Sequence, residues 1–120
     1  MSAPIALIVE DEFLIRLTLG EALAEEGFEV LEAATGPEAL AMLRAHPDIA
    51  LLVTDTNLPG GLDGREVARQ ARGIVPALKV IHMTGLPGAG VEGSAPGEAF
   101  IAKPYLPSQV CATARRLTGR

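Results

Sequence analysis

Ile49-Ala50-Leu51-Leu52-Val53-Thr54-Asp55 is the stretch on which the fold turns. It is the most apolar run in the chain, too short for a helix and closed by a carboxylate. A strand buried on both faces has this character, so Ile49 to Thr54 is expected at the centre of a sheet. The segments on either side follow the same rule. Ile5 to Val9 is a second buried strand that stops at Glu10-Asp11, and Leu78 to Met83 is a third. Glu29 to Ala33 is less apolar and reads as an edge strand, while Phe100 to Ala102 is a short fifth strand.

Between the strands the apolar period changes to that of helices. From Glu12 to Glu26, Ile15, Leu19, Ala22 and Leu23 share one face, and Gly27 supplies the stop. Thr35 or Gly36 opens the next helix, with Pro37 at its first position, where a missing N–H costs nothing; Pro47 ends it after about His46. Further helices are expected from about Asp63 to Arg72 and from Pro107 to Leu117. Residues 85–98 carry five Gly and two Pro among fourteen positions, so the helix between the last two strands is expected to be shortened or irregular. This (βα)5 order makes a doubly wound, five-stranded parallel sheet with helices on both faces, because crossovers are right-handed.

The composition supports one domain over residues 1–120: 48% of the residues are hydrophobic, almost all aliphatic, enough for a core without disulfides or structural metal. A net charge of −5 with no basic run speaks against nucleic acid as a partner. No apolar stretch is long enough to span a membrane and the N-terminus lacks a leader pattern, so a cytoplasmic protein with no membrane association is expected. The single cysteine, Cys111, excludes an internal disulfide and reads as a small helix residue.

The strand ends carry the chemistry. Strand one ends at Glu10-Asp11, strand three at Asp55, strand four at Thr84 and strand five at Lys103. In open α/β sheets, ligands bind beyond the carboxyl ends of the strands. If strands one and three are neighbours, their tips lie about 5 Å apart, and carboxylates there raise one another's pKa. A hard divalent ion relieves that repulsion, and Mg2+ suits a site with one or two carboxylates. Asp55 is placed to act as a nucleophile that forms an aspartyl phosphate. The Thr84 hydroxyl can donate to a phosphoryl oxygen. Lys103 lies two strands away, roughly 10 Å at the backbone, so a long cationic side chain is needed to reach.

Five segments in order resemble the response-regulator receiver family: Val9-Glu10-Asp11, Leu52 to Pro59, Leu62-Asp63-Gly64, Met83-Thr84-Gly85 and Ala102-Lys103-Pro104-Tyr105. The resemblance covers nearly the whole chain and implies the flavodoxin-like strand order 2-1-3-4-5 of single-domain, chemotaxis-type receivers. It implies that Asp55 is phosphorylated by a histidine kinase or a histidine phosphotransfer protein, with Mg2+ held by Asp11, by Glu10 through water, by Asp55 and by the backbone carbonyl of Asn57. Thr84 and Phe100 become the switch pair, and the Lys103–Pro104 peptide is cis. No enzyme activity beyond self-phosphorylation and autodephosphorylation is implied. Output passes to an unknown downstream protein or to phosphate relay, from a monomer or weak dimer.

Some features depart from the family. Glu10 stands where Asp is commoner, Gly60-Gly61 lengthens the loop by one residue, and residues 85–98 replace the usual helix. Met83-Thr84-Gly85 also resembles, in part, a subgroup of single-domain receivers. Two rival readings remain. A haloacid-dehalogenase-type phosphatase also uses a strand-end Asp and Mg2+, but it needs an acid where this chain has Asn57 and lacks a cap domain. A binding module independent of phosphorylation would have no use for a complete acidic pocket.

Other residues read more simply. Asp63 reads as a turn and cap residue, His82 as a packed histidine, His46 as decoration of a helix end, and Tyr105 as a core aromatic. Leu14 and Leu17 lie off the buried face of the first helix. Either they widen the buried stripe, or with Phe13 they form an exposed patch for the kinase's phosphohistidine domain.

Overall fold

The computed structural model describes residues 3–59, 61–85 and 96–119. The elements follow as β1 (Ile5–Val9), α1 (Phe13–Glu25), β2 (Glu29–Ala33), α2 (Gly36–Ala45), β3 (Ile49–Asp55), α3 (Gly64–Ile74), β4 (Lys79–Thr84), β5 (Glu98–Ala102) and α4 (Pro107–Thr118). All strand pairs are parallel, in the order β2-β1-β3-β4-β5, so the most apolar run is indeed the middle strand.

Alternation along the strands divides the core in two. Leu7, Val9, Leu52 and Val80 face α2 and α3, where Leu40, Leu43, Val67 and Ala71 meet them. Ala6, Ile8, Leu51, Val53, Ile81 and Met83 face α1 and α4, against Leu19, Leu23, Val110 and Cys111. Thr35 caps α2 by accepting from the Glu38 N–H, and Asp63 caps α3 by accepting from that of Glu66.

Several boundaries differ from expectation. Pro37 is the second residue of α2 rather than the first. Helix α3 continues through Gly73 to Ile74, because the Ile74 side chain packs on the α3-side core. Strand β4 runs on to the polar Thr84. Strand β5 begins at Glu98, not Phe100, because ladder pairing with Val80 starts there, outside the apolar run. The expectation of an irregular helix in this region falls on residues 86–95, which lie outside the described residues.

Candidate phosphoacceptor site

Register brings the strand tips together. Val9 stands opposite Thr54, so Glu10 and Asp55 follow as neighbours at the ends of β1 and β3. Asp55 in turn faces Met83, and Thr84 faces Ala102, the residue before Lys103. Short bonds tie these ends: Thr56 N–H to the Met83 carbonyl at 3.0 Å, and Lys103 N–H to the Thr84 carbonyl at 2.7 Å. The Lys103–Pro104 peptide is cis.

The Asp55 side chain is buried, and both its oxygens are engaged. The Asn57 backbone N–H donates to Oδ1 at 2.9 Å, and Lys103 Nζ donates to Oδ2 at 2.5 Å. The long lysine therefore does cross from β5, past β4, to the central tip. Thr84 is buried one strand away, and Asn57 is exposed on the loop.

The acidic side of the site is strained by its own charge. Glu10 is 2% exposed, and its Oε2 is buried with no hydrogen-bond partner among the described residues. Burial, a hydrogen bond with Asp11, and the charges of Asp55 and Asp11 push its pKa up from 4.5 to about 7. Arg16 on α1 fixes the corner by donating to the Glu10 carbonyl at 2.7 Å and to Glu32 at 2.9 Å. Burial, reinforced by the same carboxylates Glu10 and Asp55, raises the Tyr105 phenol to about 12.

Asp11, by contrast, is exposed, and among the described residues no three acidic, histidine or cysteine side chains are gathered closely enough to hold an ion alone. That arrangement fits a cation that takes one or two carboxylates and fills its shell with water and carbonyl oxygens, which is the habit of Mg2+. The unpartnered Glu10 oxygen fits such an ion as well.

Gly64 is a structural requirement that its reading as turn chemistry did not reveal. A Cβ at that position would lie 2.1 Å from the Asp55 carbonyl oxygen and 2.9 Å from Thr56 Cα, so the first turn of α3 presses directly on the end of β3. The following residue, Arg65, was also missed. It joins Thr56, Asn57, Asp63, Thr84 and Gly85 around a pocket of about 560 Å3 beside the end of β3.

Phe100 is half-buried and stacks on His82, with ring centroids 4.3 Å apart and planes 10° apart. His82 is packed, as expected, but it is also paired: Nε2 lies 2.7 Å from Glu98 Oε1, and Glu98 Oε2 accepts from Arg72 at 2.9 Å. Burial lowers the His82 pKa, against the opposing pull of Glu98. On the other face of the molecule, Phe13, Leu14 and Leu17 are exposed, at 59%, 72% and 37%. The wider buried stripe is thereby ruled out. Leu14 also borders an apolar groove of about 400 Å3 with Ile15, Leu19, Pro104, Tyr105 and Pro107.

The family model of the response regulator receiver domain matches residues 6–115. The aerobic respiration control protein ArcA of Escherichia coli is 35% identical over 128 residues, covering 100% of this chain and 50% of its own length. This chain thus spans about half the length of that relative. The response regulator receiver protein CpdR of Brucella abortus is 34% identical over 102 residues, which cover 82% of this chain and 83% of CpdR. Among solved structures, a receiver protein from Sinorhizobium medicae superposes with a TM-score of 0.88 at 27% identity, covering 98% of this chain and 95% of that one. The receiver domain of the hybrid histidine kinase CckA gives a TM-score of 0.80 at 31% identity, with 95% and 98% covered. With a family model over most of its length and receivers as its relatives in both sequence and structure, the chain belongs to the response regulator receiver domains of two-component signalling.

Proposed function

We propose that Asp55 accepts a phosphoryl group from a phosphohistidine on a histidine kinase or phosphotransfer protein. One observation carries the reading: a buried strand-end carboxylate bound by Lys103 lies beside a second buried carboxylate with an unpartnered oxygen. Asp11, Asp55 and the Asn57 carbonyl would hold Mg2+, with Glu10 acting through water. When bound, the ion supplies positive charge against the phosphoryl oxygens. The relative named sporulation initiation phosphotransferase F of Bacillus subtilis, 38% identical over 79 residues, is consistent with a transfer role.

In the transfer, an Asp55 oxygen attacks phosphorus in line, and the P–N bond of the phosphohistidine breaks. Its electron pair stays on the imidazole, which takes up a proton. Lys103 passes from the free carboxylate to a phosphoryl oxygen, and the Thr84 hydroxyl donates to another. Such fixed charge is most of what phosphoryl transfer requires. Hydrolysis of its own phosphate would be the chain's sole turnover.

Acetyl phosphate with Mg2+, read by intact mass, tests the reading. Wild type should gain one phosphoryl group and Asp55→Asn none; a gain that persists in Asp55→Asn overturns it.

The exposed Phe13, Leu14 and Leu17 beside the apolar groove are the surface we assign to the phosphodonor. Leu17→Asp should slow transfer from the kinase by roughly tenfold or more, a contact worth about 1.4 kcal/mol or more. Phosphorylation by acetyl phosphate should be unchanged. Equal loss with both donors would remove the assignment.

A further inference from the structure

Three arginines line one side of α3, and two of them are already occupied. Arg69 pairs with Glu66, and Arg72 with Glu98 and the Pro96 carbonyl. Arg65 is different. It is exposed, no carboxylate among the described residues pairs with it, and its guanidinium lies over the Phe100 ring, 5.4 Å from the centroid.

Its position is not free to drift. Gly64 is jammed against the Asp55 carbonyl and donates its N–H to the Thr56 carbonyl at 3.1 Å, while Asp63 caps the helix. The backbone of Arg65 is therefore held close to the end of β3, while its long side chain is exposed. It borders two pockets at once: one beside the acceptor with Thr56, Asn57 and Thr84, the other with His82, Glu98 and Phe100.

We infer that Arg65 is a phosphoryl-binding arm that leaves the Phe100 ring for the phosphate on Asp55, so that capturing the phosphate also uncovers the aromatic. The energetic direction follows from the partners. A guanidinium whose partner among the described residues is a ring face gains a charge-assisted, bidentate pairing with phosphoryl oxygens. Phosphorylation brings nearly two negative charges to a tip that has Lys103 as its close cation. Phe100, relieved of its cationic cover, is left with its His82 stack alone. The inference rests on Asp55 being the phosphoacceptor.

The test uses beryllium fluoride with Mg2+, a stable mimic of the phosphoryl group, titrated into wild type, Arg65→Met and Arg65→Lys. Arg65→Met keeps the apolar stem over Phe100 and loses the charge. It should bind the mimic about tenfold more weakly, the factor for one charged hydrogen bond, with Arg65→Lys in between. Nuclear magnetic resonance of the Phe100 ring gives a second readout. In wild type the mimic should shift the ring toward its position in free Arg65→Met, and in Arg65→Met the further shift should be small.

Thermal melts confirm that each variant is folded, as expected for an exposed side chain. Equal affinities in wild type and Arg65→Met, with wild type binding normally, would overturn the role of Arg65 alone. Failure of wild type to bind the mimic or to take phosphate from acetyl phosphate would instead overturn the acceptor reading beneath it.

Discussion

Asp55 stands between two flanks built on opposite principles. Toward β1 the neighbours are acidic, and one buried carboxylate oxygen has no partner among the described residues. Toward β4 and β5 the groups form a chain of pairs, Lys103 with Asp55, Arg72 with Glu98, Glu98 with His82 and His82 with Phe100, in which His82 Nδ1 is the buried atom left without a hydrogen-bond partner among the described residues. The first flank has the carboxylates that a cation would complete. The second is held mostly by pairs already formed, and it changes when something outbids one of those partners. On the proposed reading, the first side would hold the metal and the second would respond to the phosphate.

The harshest way to break the comparison is to disturb the wall common to both flanks. Gly64→Ala puts a methyl group into the Asp55 backbone, which cannot rotate away as a side chain would. We expect a loss of about 3 kcal/mol in urea unfolding, the upper range for overpacking, together with loss of phosphorylation.

The flanks themselves should respond with opposite signs. In metal-free protein at pH 8, Glu10→Gln removes a buried charge and should stabilise by roughly 1–3 kcal/mol, whereas Lys103→Met strips Asp55 of its cation and should cost about 1–2 kcal/mol. The first effect depends on pH. The Glu10 pKa is raised from 4.5 to about 7 in the fold, so between those values the folded protein holds a proton that the unfolded chain has lost. That contribution is fully present below pH 4.5 and disappears as pH rises through 7. The advantage of Glu10→Gln should therefore grow across this window and shrink on adding Mg2+, as denaturant midpoints would record. A flat difference would remove the acidic-flank account.

The smallest expected effect lies on the side of β4 and β5. Glu98 opposes the depression of the His82 pKa by burial, so Glu98→Gln should move the histidine titration, followed by its ring resonances, further below 6.5. Because the folded-state value is depressed, this group lowers stability as pH falls through that range. An upward movement would show that Glu98 does not act on His82 through charge.

Much of this was legible in the sequence, for a physical reason. Buried parallel strands advertise themselves as short apolar runs, and each run here ends at or beside the residue that its tip contributes, so Glu10, Asp55, Thr84 and Lys103 could be picked out by the pattern and aligned once the family resemblance supplied the strand order. What stayed hidden depends on register and on distance. Glu98 reads as a loop residue until the ladder places it beside Val80, from where its carboxylate reaches His82. Gly64 reads as turn chemistry until its closeness to the Asp55 carbonyl is measured. Arg65 is one exposed arginine among several, and nothing in the spacing marks it. Phe13, Leu14 and Leu17 were undecided because α1 is apolar on more than one side, and the actual packing was needed to separate buried from exposed.

Arg16 has a consequence beyond steadying an acidic corner. Its guanidinium lies 5.6 Å from the centre of the exposed Phe13 ring, while the same group grips the Glu10 carbonyl and Glu32. The outer skin of α1 and the inner floor of the acceptor site are thus joined by one strut. A partner that leaned on Phe13 would load that strut, whose far end is the backbone of Glu10. Were Phe13 the docking point and Glu10 a holder of the ion, docking and metal readiness would be two ends of a single lever, with its fulcrum on the first turn of α1.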